Sequence, residues 1–188
     1  MPDTKDWTWV LQRPCPECGL DTRSLTRADI AAIISANAAS WQRALTVSAD
    51  PAARPAPATW SPVEYACHVR DLLVLCDHRL GLMLAEQDPV FANWDQDEAF
   101  RRYGELVPAE IVTDLAGAAA AAASRFAEIT PGQWLRRGRR SDGVEYTVET
   151  FGRNLVHEVV HHLYDVTGIR YSGPHRPSRH RARVHHSG

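Results

Sequence analysis

Near its C-terminal end the chain reads Asn154-Leu155-Val156-His157-Glu158-Val159-Val160-His161-His162-Leu163-Tyr164-Asp165. If this stretch is helical, His157 and His161 stand i, i+4 on one face, about 6 Å apart, a spacing that lets two imidazole nitrogens share one divalent ion. The pair alone fits a structural role as well as a metal role, so a third donor decides between them. Of the nine histidines, four (His175, His180, His185 and His186) fall in the last residues and are set aside. Five remain in the body, and the candidate for the third ligand is His68, early in the second predicted helix. On a helical projection it sits at the edge of an apolar face formed by Tyr65, Leu72, Leu73, Cys76 and Leu80. His157 and His161 adjoin a polar sector that also holds Asn154, Tyr164 and Asp165. That sector reads equally as the solvent face. Both segments nevertheless place histidine where apolar core meets polar surface, which suits a site at the mouth of a bundle.

A second constellation is Cys15-Pro16-Glu17-Cys18-Gly19. As a zinc knuckle it lacks a second cysteine pair of matching spacing, because Cys67 and Cys76 lie nine residues apart within a helical pattern. As a thioredoxin-like redox pair it lacks a preceding strand and a following helix. Three readings stay open for Cys15 and Cys18: a labile disulfide, half of a metal site completed by histidines, or a turn whose geometry Pro16 and Gly19 set. Cys76 reads as a core residue.

These side chains need a scaffold, and the periodicity predicts four long helices. The first runs from about Thr26, which can cap it with Asp29, to Thr46, with Ile30, Ile33, Ile34, Trp41 and Leu45 recurring at helical spacing. Three prolines between Asp50 and Thr59 favour a stiff, extended connector. Ser61-Pro62-Val63-Glu64 is the strongest helix start, with Ser at the N-cap, Pro at the first position and Glu at the third; this helix should reach about Glu86. A third should begin at Pro108 and run through the alanines Ala118 to Ala123 to about Glu128. Ser141-Asp142-Gly143 signals a small hairpin, and the last helix should span Thr147 to Gly168, which stops it. The expected class is all-α, a four-helix bundle with an irregular N-terminal arm and that hairpin before the last helix. The expected divisions are an arm over 1–24 whose Trp7 and Trp9 dock onto the body, a bundle over 25–171, and a basic, disordered tail over 172–188.

With 188 residues, 44% of them hydrophobic, the chain is long enough to build one core without a disulfide or metal. Any metal is therefore expected to be functional. The largely apolar stretch Ile111–Ser124 is broken by Asp114 and Gly117, so no membrane span is expected. Met1–Val10 carries Asp3, Lys5 and Asp6 and no apolar run, so a cytoplasmic location is expected. The net charge of −2 hides an asymmetry, since Arg170, Arg176, Arg179, Arg181 and Arg183 follow an acidic body with no acid among them. One short basic segment is a poor nucleic-acid signature, and a nucleic-acid partner is not expected. The acidic stretch Asn93–Glu98 reads as a solvated loop.

Trp60-Ser61-Pro62-Val63-Glu64-Tyr65-Ala66-Cys67-His68-Val69-Arg70-Asp71, with His157-Glu158-Val159-Val160-His161-His162-Leu163-Tyr164-Asp165 far downstream, resembles the DinB-like (YfiT-like) metal-dependent bundle superfamily. That superfamily includes the mycothiol-dependent maleylpyruvate isomerases and the bacillithiol transferases. The resemblance implies an up-down-down-up four-helix bundle over about Leu25 to Gly168, with His68, His157 and His161 as metal ligands. His162 competes with His161, and the i, i+4 spacing favours His161. Asp71 and Asp165 are then candidates to accept hydrogen bonds from the distal ring N–H groups of the ligands. Three imidazoles leave a divalent ion an open position, zinc first, with nickel or ferrous iron also compatible. The implied activity is that of a thiol-dependent S-transferase or isomerase acting on a small electrophile, with a low-molecular-weight thiol as cosubstrate. The alternative is a non-catalytic metal-binding or stress-associated bundle. A homodimer is compatible with either.

Overall fold

The structure, a computed structural model, describes residues 7–95, 98, 100, 101, 103 and 107–173. The stretch from 174 to the end, which holds most of the expected tail, and part of the acidic 93–98 stretch lie outside the described residues. Four helices carry the fold: α1 (Arg27–Val47), α2 (Pro62–Ala85), α3 (Pro108–Ala127) and α4 (Val148–Thr167). α1, α2 and α4 begin where a side chain offers the free backbone amides a partner, and α3 begins on Pro108, which has no amide hydrogen to satisfy. The carboxylate of Asp29 accepts from the Thr26 amide at 2.7 Å. Ser61 and Glu64 cap each other reciprocally, at 2.7 and 3.2 Å, and Thr147 and Thr150 do the same for α4. Gly168 ends α4 in the left-handed region, φ 67°, and its amide donates to the Tyr164 carbonyl at 2.7 Å.

α1 and α2 each pack against both α3 and α4, while α1 and α2 touch each other little. α1 and α2, and likewise α3 and α4, therefore lie across a diagonal although consecutive in the chain, while α2 and α3 are neighbours; in an up-down-up-down bundle every consecutive pair is adjacent. Trp41, Ile30, Ile34, Leu73, Leu80, Met83, Ile111, Leu115 and Leu155 fill the interior, each contributing about 1.5–3 kcal/mol of burial. Ala119, Ala122 and Ala123 are buried, so the alanine tract serves close helix packing. Gly152 has a similar role on α4: a Cβ there would meet Phe126 at 2.8 Å and Ile30 at 3.0 Å.

Two local features differ from the sequence expectation. Residues 50–59 form turns closed by Ala53 N–H to Asp50 and Thr59 N–H to Ala56, not an extended connector, because Asp50 and the alanines between the prolines supply turn hydrogen bonds. The hairpin of β2 (Arg137–Arg140) and β3 (Glu145–Thr147) gains a third, parallel strand, β1 (Val90–Phe91). Two residues are too few to show a strand pattern in sequence. Phe91 is buried, and Gly138 lets it and Met83 approach the hairpin closely.

The N-terminal arm docks on the bundle as expected. A 3-10 turn at Thr8–Leu11 buries Val10, and buried Thr22 donates its hydroxyl to the Val10 carbonyl at 2.6 Å. Among the described residues no helix is long and apolar enough to cross a membrane.

Candidate metal centre

The arm comes to rest on α4 over the residues with metal-ligand chemistry. Cys15 N–H donates to the Leu20 carbonyl at 2.9 Å and Gly19 N–H to the Cys15 carbonyl at 3.0 Å, which folds Cys15–Leu20 into a tight knuckle. Gly19 takes φ 82°, a region open to glycine, and the Arg170 guanidinium lies where a side chain on it would go. Arg170 donates to the carbonyls of Pro16 and Glu17 at 2.6 and 2.7 Å, and the Tyr171 amide donates to the Cys18 carbonyl at 2.8 Å. The knuckle is thus fastened to the residues that follow α4.

This places both cysteine sulfurs beside the α4 histidine pair. One donor atom from each of Cys15, Cys18, His157 and His161 lies within 4.8 Å of the others, and all four residues are buried. Cys15 Sγ is 3.6 Å from Nδ1 of His161. On the other side of that ring, Nε2 faces Glu17 Oε2 at 3.2 Å and Asp165 Oδ1 at 3.5 Å. Trp7 covers both imidazoles, with ring centroids 4.9 and 4.5 Å away, and Trp9 closes over His157. His157 is fully buried, and neither of its ring nitrogens has a hydrogen-bond partner. Burial, helped by His161 and His162, holds its pKa down to about 3, so the ring is neutral and keeps a lone pair for a cation. Burial pushes the Cys18 thiol up to about 12, which makes the free thiol a poor nucleophile at neutral pH. Neither cysteine is in a disulfide.

His68 lies elsewhere. Its ring is stacked on Trp94 at 5.0 Å, flanked by Trp60 at 5.2 Å, and meets His162 edge-on at 4.8 Å. It belongs to neither cluster of metal-type donors among the described residues; those are the four-residue group above and a more exposed one of Glu17, His161 and Asp165. The ligands implied by the resemblance are therefore divided: His157 and His161 meet the cysteines, and His68 meets His162. His68 is outside both groups of donor atoms that lie within 4.8 Å of one another among the described residues, whereas His157 and His161 share one, and the ring nitrogens of His157 are unpartnered. Asp165 Oδ1 is 3.5 Å from Nε2 of His161, and its Oδ2 is 3.2 Å from Nδ1 of His162. Asp71 instead accepts from the Tyr103 hydroxyl at 3.0 Å and pairs with Arg70 at 2.7 Å. Sequence reasoning missed the His68–His162 partnership and the carboxylate of Glu17. The matching two-residue and three-residue gaps of Cys15/Cys18 and His157/His161 were the signal available for joining the two halves.

A family model of the DinB superfamily matches residues 44–166. Among solved structures, YfiT from Bacillus subtilis, described as a probable metal-dependent hydrolase with an unusual four-helix bundle topology, aligns with a TM-score of 0.68 at 18% identity. The alignment covers 77% of this chain and 87% of that one. At that identity the likeness speaks for the fold. Among curated proteins none matches the sequence. The family match spans α2, β1, the hairpin, α3 and almost all of α4, including His68 and the whole HxxxHH segment, and on that ground the chain belongs to the DinB superfamily.

Proposed function

We propose that the protein is a divalent-metal-dependent enzyme that joins a low-molecular-weight thiol to a small electrophile, or isomerises the electrophile through such an adduct. Its ion belongs on His157 and His161, zinc before nickel or iron, and its proton chemistry on His68 and His162. The supporting observation is the pair of buried imidazoles, His68 and His162, 4.8 Å apart, with Asp165 anchoring the second. Burial, with a contribution from His162, holds His68 well below the usual histidine pKa. It is neutral at pH 7, so a ring nitrogen can accept a hydrogen bond from an incoming thiol. Asp165 orients His162, as a carboxylate does for a working imidazole. Trp60 and Trp94 keep water from His68, and Trp94 also lines a cleft of about 470 Å³ with Arg70, Asp71 and Tyr103, a volume suited to a small molecule. A divalent ion on His157 and His161 would hold the turn of α4 that carries His162 and so keep its imidazole in place.

The test is a conjugation assay with metal-loaded protein, a panel of low-molecular-weight thiols and an activated aryl halide. Acceleration by the parent, reduced about 10²–10⁴-fold in His68→Ala at unchanged metal content, is the expected result. No acceleration by the parent across the panel supports the alternative, a metal-binding bundle without catalysis.

A further inference from the structure

The cysteine knuckle is not needed for the thiol chemistry above, yet it is built with care and aimed at α4. We propose that Cys15, Cys18, His157 and His161 are the four ligands of one closed tetrahedral zinc centre that clamps the N-terminal arm to the last helix. This rests on the reading that the His157–His161 pair holds a divalent ion, and deepens it by naming the other two ligands and the centre's role.

Several independent observations converge. The C-x2-C and H-x3-H spacings each match one half of a Cys2His2 zinc site. Zinc–sulfur and zinc–nitrogen bonds of about 2.3 and 2.0–2.1 Å at a tetrahedral angle put sulfur and nitrogen about 3.5–3.6 Å apart. Cys15 Sγ and His161 Nδ1 are separated by 3.6 Å. His161 points Nδ1 into the cluster and Nε2 toward Glu17 and Asp165, the carboxylate backing typical of zinc-bound imidazole. His157 is wholly buried with both nitrogens unpartnered, an arrangement that costs free energy unless a ligand takes a lone pair. Charge also balances: as zinc binds, both thiols lose protons to solvent, and two thiolates neutralise the ion in a site sealed by Trp7 and Trp9.

Four protein ligands leave no open position, so this zinc organises structure and does not activate substrate. It fixes the turn of α4 that carries His162 and hence sets the position of the imidazole facing His68.

Full-length protein is reconstituted with zinc or cobalt(II) and compared with Cys15→Ser, Cys18→Ser and His157→Ala. The parent should bind about one ion per chain, and its cobalt form should show intense tetrahedral visible bands together with near-ultraviolet thiolate-to-cobalt charge transfer. Each cysteine variant should lose charge-transfer intensity and bind zinc at least about 100-fold more weakly, with helix content retained and the arm newly open to proteolysis. Cobalt bound without thiolate charge transfer, and lost only in His157→Ala, overturns the four-ligand centre and leaves the histidine pair standing. Absence of any bound ion in the parent overturns both. If a cysteine variant does not fold, the spectrum of the parent alone decides.

Discussion

A fully enclosed imidazole with no hydrogen bond at either nitrogen forfeits about 1–3 kcal/mol, and His157 is in that position on α4. The same helix shows why its neighbours are not interchangeable. His161 turns toward the cysteines and His162, one residue on, turns toward His68. Replacing His162 with alanine should therefore leave metal content unchanged while conjugation falls. Asp165→Asn, which weakens the carboxylate at Nε2 of His161, should lower metal affinity by about 10–100-fold without abolishing binding. Metal titration against a competing chelator reads both. At this scale the sequence showed the types and spacing of the candidate ligands but not their grouping. Cys15 and His161 lie 146 positions apart, and no local pattern reports which residues a chain brings together over that distance.

Helix starts were the most legible features, because each cap is a local contest for backbone amides that neighbouring residues decide. The Ser61–Glu64 box shows its worth through charge. Burial opposes the Glu64 carboxylate, but the Arg54 guanidinium and the Ser61 amide outweigh it and hold its pKa below the ordinary 4.5. A depressed carboxylate pKa stabilises the fold fully above the unfolded value and loses that contribution as pH falls through the folded one. Glu64→Gln should thus cost about 1–2 kcal/mol at pH 7. The gap between variant and parent should narrow once pH drops below about 4.5, as followed by urea unfolding at several pH values. Gly152→Ala tests packing in place of charge. With Phe126 and Ile30 already against that position, the added methyl should destabilise by about 1–3 kcal/mol and lower the thermal midpoint. The polar sector of α4 was the least legible element. Its histidines read equally well as a solvent face, but they are buried because the arm, with Trp7 and Trp9, covers them. Amphipathic patterning measures polarity and cannot tell water from a second polar layer of the same chain.

For the whole molecule, the bundle supplies a rigid interior and the arm supplies the other half of the proposed site. The four helices should persist without metal, since the apolar residues between them and not an ion hold them together. Loss of the ion should instead loosen the arm at the knuckle, which Arg170 and Tyr171 otherwise tie to the residues after α4. Chelated protein should keep its far-ultraviolet circular dichroism while tryptophan fluorescence shifts to longer wavelength as Trp7 and Trp9 meet water. The most direct measurement is elemental analysis of the purified chain beside the His157→Ala/His161→Ala double variant, with circular dichroism of both. About one divalent ion per parent chain, with essentially none in a double variant of unchanged helix content, is the expected result. Equal metal in parent and double variant would contradict a metal centre on this pair.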